Sequence, residues 1–217
     1  MSQELWTAVD RYIAELLVPS DAALDCALDA SAEAGLPAIA VSPNQGKLLM
    51  MFAQMLGARK ILEIGTLGGY STIWLARGLA AGGRLITLEV DPKHGEVARA
   101  NIARAGLGDV VEVRVGKALD TLPLLHGPFD LIFIDADKVS SSEYLIWAVK
   151  LSRSGSVIVA DNVVRKGAVI DGDSSDPNVH GVRRFNEILA GDARLSATAI
   201  QTVGSKGYDG FTIVRVL

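Results

Sequence analysis

Two short apolar runs each end in acid. Leu131-Ile132-Phe133-Ile134 leads into Asp135-Ala136-Asp137-Lys138, and Val157-Ile158-Val159-Ala160 leads into Asp161-Asn162. Unbroken runs of this length, rich in β-branched residues, suit strands buried on both faces. Open α/β sheets bind ligands at the carboxyl ends of such strands. Neighbouring strands would then deliver Asp135, Asp161 and Asn162 to one crevice. Hard oxygen donors gathered there suit Mg²⁺ or another divalent cation such as Mn²⁺ or Ca²⁺. Each Asp would serve equally as the cap of the helix or turn that follows it, so both readings stand at this point.

A second group of residues precedes these. Ile61-Leu62-Glu63-Ile64 runs into Gly65-Thr66-Leu67-Gly68-Gly69-Tyr70-Ser71, a strand, a glycine turn and a helix start. Glycines there let a ligand approach the backbone closely, and the first N–H groups of the helix point at it. The spacing is G-x-x-G-G rather than the G-x-G-x-x-G of dinucleotide sites, which argues against a pyrophosphate ligand. Glu89 ends the next apolar run, Leu85-Ile86-Thr87-Leu88. An acid about two dozen residues past such a turn can accept hydrogen bonds from both ribose hydroxyls, which suits an adenosine-bearing cofactor without naming it. A plain tight turn and a solvated strand end are the simpler readings.

The elements that position these residues follow from periodicity. Strands are expected near 60–64, 84–89, 110–115, 129–135 and 156–161, with helices near 70–80, 92–105, 117–122 and 140–152 between and after them. Such alternation gives a parallel, doubly wound sheet. The first forty residues read as helices: Leu5, Val9, Tyr12, Ile13, Leu16 and Leu17 keep helical spacing, and Leu24 and Leu28 share a face while Asp21, Asp25 and Asp29 form another. Ser42-Pro43-Asn44-Gln45 starts a helix, with Ser42 as cap, Pro43 at the first turn and Gln45 completing a capping box, and Gly57 stops it. Residues 162–178, polar and rich in Gly, Asp and Ser, read as a mobile loop over the crevice. A helix near 179–190 follows, then strands near 194–202 and 209–216 around a tight Tyr208-Asp209-Gly210 segment, an antiparallel pair at one sheet edge.

Composition narrows the function classes. The chain has 217 residues and a formal net charge of −4, without a run of Lys or Arg, so nucleic acid is not an expected partner. No apolar stretch approaches the roughly 18 residues of a membrane span, and the amino terminus lacks the pattern of a signal peptide, which together point to the cytoplasm. Cys26 is the single cysteine; on an apolar helical stretch it reads as a buried thiol. His94, His126 and His180 share no metal-ligand spacing. Asp171-Gly172-Asp173-Ser174-Ser175-Asp176 departs from a calcium loop, with its glycine misplaced and Val182 where the bidentate Glu belongs.

Taken in order, Glu63-Ile64-Gly65-Thr66-Leu67-Gly68-Gly69-Tyr70-Ser71, Glu89, Ile134-Asp135-Ala136-Asp137-Lys138 and Asp161-Asn162 resemble the cation-dependent O-methyltransferases of the catechol and caffeoyl-CoA type. The resemblance extends from about Val41 to Gly210. It implies a Rossmann-like methyltransferase fold: α/β, a doubly wound, mostly parallel seven-stranded sheet with an antiparallel C-terminal edge strand and N-terminal helices. It implies one domain over 1–217, with a helical cap over 1–57 and the core over 58–217. The implied cofactors are S-adenosylmethionine and Mg²⁺ or a similar cation. By the same resemblance, Gly65 and Thr66 line the S-adenosylmethionine pocket, with Glu63 beneath it and Ser71 near the methionine carboxylate. Val41 offers backbone contacts to the methionine end, Glu89 holds the ribose, and Ala118 sits by the adenine through its backbone. Asp135 borders both sites. Asp135, Asp161 and Asn162 match the metal ligands and Lys138 the general base. The implied partner is a small phenolic acceptor, and the family commonly forms homodimers, as the apolar N-terminal helices here also suggest. Animal catechol enzymes carry a bulky aromatic residue just before the lysine; Asp137 stands there in this chain.

The chemistry is coherent. Methyl transfer from a sulfonium needs an acceptor oxygen that is deprotonated or nearly so, and a divalent cation on two vicinal oxygens favours that state. Lys138 would reach the same oxygen and take its proton; its other reading is an ion pair with Asp135 or Asp137. A nicotinamide-dependent oxidoreductase would carry the missing fingerprint and leaves Asp161-Asn162 unexplained. A non-catalytic cofactor-binding protein would not need the lysine and the acids together.

Overall fold

The computed structural model describes residues 2–19 and 21–217. Five parallel strands, β1 (Lys60–Ile64), β2 (Arg84–Glu89), β3 (Val111–Val115), β4 (Leu131–Ile134) and β5 (Val157–Asp161), are extended by an antiparallel hairpin of β6 (Leu195–Gly204) and β7 (Gly207–Val216). The sheet order is β3-β2-β1-β4-β5-β7-β6. Chain order therefore reverses between β1 and β4, the switch point where such sheets open a crevice. The helices are α1 (Gln3–Leu17), α2 (Ala22–Glu33), α3 (Pro43–Leu56), α4 (Tyr70–Arg77), α5 (Pro92–Arg104), α6 (Ala118–Thr121), α7 (Ser141–Lys150) and α8 (Pro177–Gly191). None among the described residues is long and apolar enough to cross a membrane.

Alternate residues of the central strands enter different cores, as a two-sided sheet requires. Leu62, Ile64, Ile132, Ile134, Ile158 and Ala160 pack with Leu145, Val182 and Phe185 on one face. Ile61, Leu131, Phe133 and Val159 pack with Leu49, Ile73 and Ala98 on the other. Continuing the alternation puts Glu63, Asp135 and Asp161 on that second side.

Local signals place the helix ends. Asp91 accepts from Lys93 N at 2.8 Å ahead of Pro92, and Gly57 closes α3 at φ 57°. Asp176 caps α8 ahead of Pro177, two residues before the expected start. Gly65, at φ +103°, is sterically obligatory: a Cβ there would lie 2.1 Å from the Asp135 carbonyl oxygen. The ends of β1 and β4 can therefore approach only through glycine.

Four expectations need correction. The hairpin turns at Ser205-Lys206, between paired Gly204 and Gly207, and Tyr208-Asp209-Gly210 lies within β7. The Asp209 carboxylate serves instead the segment after Asn162, accepting from Val164 N and Arg165 N. Cys26 is exposed, because α2 buries Leu24 and Ala27 and leaves Leu28 outside with it. Gln45 does not close a capping box; Ser42 accepts from its N–H at 3.3 Å, but its own side-chain amide faces the Asp161 carboxyl. Residues 162–178 are partly ordered, with a 3₁₀ segment over Arg165–Ile170 and Val163 and Val164 buried.

Candidate active site

Parallel register brings the acid-bearing ends together. β4 and β5 pair through Ile134↔Ala160, one residue before Asp135 and Asp161. Asp161 is 9% exposed, and burial pushes its carboxyl up to about 7, helped by the like charge of Asp135. Lys138, the Asn162 N–H and Gln45 act in the opposite direction. Asp161 Oδ1 accepts from Asn162 N at 2.8 Å, and Asn162 adopts a left-handed φ of 57°, which an Asn tolerates better than most residues. Lys138 Nζ donates to Asp135 Oδ1 at 2.9 Å, with the lysine 8% exposed. The ion pair expected as the plainer role of Lys138 therefore exists, with Asp135 and not Asp137. Asp137 turns to α7, accepting from Ser140 N at 2.9 Å and from the Tyr144 hydroxyl.

Fully buried, Glu63 accepts from Ser71 Oγ at 2.6 Å, from Thr87 Oγ1 at 2.6 Å and from Thr72. Burial pushes its carboxyl up to about 7 against the pull of these hydroxyls, and Asp135 adds to the rise. Thr87 is the β2 partner of Glu63 in the ladder, a contact that strand pairing predicts once register is known. Glu63 thus ties β1 and β2 to the start of α4, directly beneath the glycine turn.

Glu89 secures the turn from the other side. Its Oε2 accepts from Thr66 N at 3.2 Å and Leu67 N at 2.7 Å, and its Oε1 from Asp91 N at 3.0 Å. His94 Nδ1 stands 3.6 Å from the same Oε1. Thr66 is buried and its hydroxyl meets that of Thr87. Ala118 opens α6 two residues after Gly116, whose N–H bonds the Glu89 carbonyl at 2.8 Å. Val41 is buried immediately before the Ser42 cap of α3.

The structure therefore joins two clusters at the carboxyl edge: Glu63, Thr66, Ser71 and Glu89 about the glycine turn, and Asp135, Lys138, Asp161 and Asn162 beside it. Gly65 links them through its approach to Asp135. Sequence reasoning does not identify Gln45, Thr87 or Asp209 as parts of this edge. Gln45 is hidden by its capping-box pattern and Asp209 by its turn-like neighbours. Among the described residues no three His, Cys, Asp or Glu side chains gather as a metal cage. The candidate set is two carboxylates and one amide. Lys138 balances the charge of Asp135, while the buried Asp161 carboxylate is left beside a like charge, and hard oxygen donors so placed suit a divalent cation.

Comparison with known proteins bears on these clusters. Residues 20–217 match a family model described as O-methyltransferase. A catechol O-methyltransferase of Niastella koreensis is 54% identical over 220 residues, covering 100% of both chains. An O-methyltransferase of Bacillus cereus, solved in complex with SAH, superposes with a TM-score of 0.98 at 58% identity, over 100% of both chains. TomG of Streptomyces achromogenes, an O-methyltransferase involved in tomaymycin synthesis and solved in complex with SAM, gives a TM-score of 0.97 at 54% identity, over 100% of this chain and 99% of that one.

Proposed function

The chain belongs to the O-methyltransferase family, and from that premise we propose that it carries the methyl group of S-adenosylmethionine to one hydroxyl of a small vicinal dihydroxy aromatic, of catechol or caffeoyl type. Mg²⁺ or a similar divalent cation completes the proposal. One observation carries it: buried Lys138 and Asp161 meet Asp135 at the ends of β4 and β5, against the glycine turn of β1. The relatives solved with SAH and SAM favour the same methyl donor.

When bound, S-adenosylmethionine supplies an electrophilic sulfonium methyl and the cation favours the ionised acceptor hydroxyl. Asp135, Asp161 and Asn162 would hold the cation through oxygen, leaving positions for acceptor and water. Lys138 is ion-paired with Asp135 as an ammonium, so it would act as base only after giving that proton to solvent, a loss that a divalent charge held by Asp135 would favour. The neutral Nζ would then take the acceptor proton, and the Asp135 carboxylate would orient the ammonium so formed. A carboxylate has about four acceptor positions, and three of those on Glu89 are engaged by backbone amides, two of the glycine turn and one of Asp91. The remaining one, on Oε1, has His94 Nδ1 at 3.6 Å and would take a ribose hydroxyl, with the amides holding the carboxylate in place.

Glu89→Ala would therefore remove the ribose acceptor and strand two amides of the glycine turn and that of Asp91. Affinity for S-adenosylmethionine should fall by roughly 10–100-fold, read by calorimetry. Unchanged affinity in this variant, or tight binding of NAD by the wild type, contradicts the reading.

The same proposal includes a homodimer. Helix α1 buries none of its residues, and Leu5, Val9, Tyr12, Leu16 and Leu17 are all exposed. It lies along β6, where Gln3 Nε2 bonds Gly204 O at 2.8 Å and Asp10 accepts from Ser205 N at 2.7 Å. β6 ends the sheet and exposes Ile200 and Val203. An apolar stripe beside an unpaired strand edge is suited to a second copy. Sedimentation should give twice the 22.9 kDa chain mass for the wild type, and the monomer for Tyr12→Glu combined with Leu16→Glu. A monomeric wild type overturns the dimer.

A further inference from the structure

Past Asn162 the chain turns through three consecutive residues of positive φ: Arg165 at 54°, Lys166 at 55° and Gly167 at 91°. Only the glycine adopts that region freely, so the conformation of Arg165 and Lys166 is imposed by their surroundings. Asp209 imposes it, accepting from Val164 N and Arg165 N, each at 3.0 Å, above the buried pair Val163 and Val164. Arg165 is thereby fixed three residues beyond a candidate metal ligand.

Its side chain is not satisfied. Arg165 Nε is buried without a partner, and the guanidinium makes no hydrogen bond or ion pair among the described residues. A buried donor without a partner is costly in a native protein and calls for an acceptor from elsewhere. Asp176, at the start of α8, feels the charge of Arg165 without bonding it. Two hydrogen bonds from Asn178 hold its carboxyl below the ordinary range, and the charges of Arg165 and His180 add to them. Asp176 is thus engaged in capping α8, at 2.8 and 2.9 Å from the Asn178 backbone and side-chain nitrogens. The same end of α8 presses on the lysine loop: a Cβ at Gly181 would lie 2.0 Å from the Lys138 carbonyl oxygen. One wall therefore runs from Lys138 across the start of α8 to Arg165, with exposed Lys166 at its rim.

We propose that Arg165, with Lys166 beside it, recognises a carboxylate on the methyl acceptor, so that the enzyme acts on vicinal dihydroxy aromatic acids in preference to neutral or cationic catechols. A guanidinium fork matches a carboxylate in two parallel hydrogen bonds, which an ammonium cannot reproduce. This rests on the methyl-transfer reading above.

The test is kcat/KM for 3,4-dihydroxybenzoate, catechol and dopamine, measured with the wild type, Arg165→Met and Arg165→Lys. The wild type should favour the benzoate. The benzoate-to-catechol ratio should fall about 10- to 100-fold in Arg165→Met, mainly through KM, and recover in part in Arg165→Lys. A wild type that treats the three acceptors alike overturns the inference. So does a loss in Arg165→Met that is equal for all three, which would mark a structural arginine. If the wild type methylates catechol without preferring the acid, this inference fails and the methyl-transfer reading survives. If it methylates none of them, the methyl-transfer reading itself fails.

Discussion

Lys138→Met should lower kcat by roughly 10²–10⁴-fold while leaving the affinity for S-adenosylmethionine as it was. Methionine keeps the length and apolar stem of the side chain, so the 8% exposed pocket stays filled. What it removes is the nitrogen held 2.9 Å from Asp135 Oδ1. The loss should shrink for acceptors whose hydroxyl is already acidic, such as a nitrocatechol, because these need the base less. If the lysine only balances Asp135, the variant will instead melt earlier and lose the same factor on every acceptor. A variant with near wild-type kcat on catechol at neutral pH removes Lys138 from the mechanism.

Asp161→Asn should abolish cation binding seen by calorimetry with Mn²⁺, and lower turnover at saturating Mg²⁺ by more than about 100-fold. The stability of the metal-free protein separates this from a capping role. Asp161 titrates near 7 when folded because burial raises it, against its ordinary value of 3.8. The folded state therefore binds more protons than the unfolded one between about pH 4 and 7. Its stability falls as pH rises through that window and levels off above it. Asn carries no charge to bury, so the metal-free variant should melt at or above the wild type at pH 8 and lose part of the pH dependence. An Asp161 that matters only as acceptor for the Asn162 N–H would give a variant that melts below the wild type and still binds Mn²⁺.

Much of this edge was legible before the fold was known, and the reasons are physical. Buried parallel strands leave apolar runs that end abruptly, so Asp135, Asp161 and Glu89 mark their own strand ends. Gly65 is demanded by the approach of β4, and a glycine in that position shows in the sequence as a turn. What depended on non-local contacts was not legible. Asp209 sits in a Tyr-Asp-Gly string with turn chemistry, yet Ser205-Lys206 take the turn between paired Gly204 and Gly207, and its carboxylate holds residues 44 and 45 positions upstream. Gln45 fits a capping box by spacing alone, and only the packing of α3 against the β5 end turns it elsewhere. Cys26 and Leu28 illustrate the limit of helical periodicity: a face is defined by the pattern, but how wide a strip is covered depends on the neighbouring element. The unsatisfied guanidinium of Arg165 has no sequence signature at all, since it follows from which partners are missing around it.

The central claim is tested most directly by mixing the purified protein with methyl-labelled S-adenosylmethionine and catechol, with Mg²⁺ or with excess chelator, and following the label by mass spectrometry. The arrangement of Asp135, Asp161, Asn162 and Lys138 predicts a singly O-methylated catechol formed one-for-one with S-adenosylhomocysteine. Chelator should abolish the product and added Mg²⁺ restore it. Undiminished turnover in chelator would contradict the cation site, and bound S-adenosylmethionine with no label on any vicinal dihydroxy aromatic would contradict the assigned reaction.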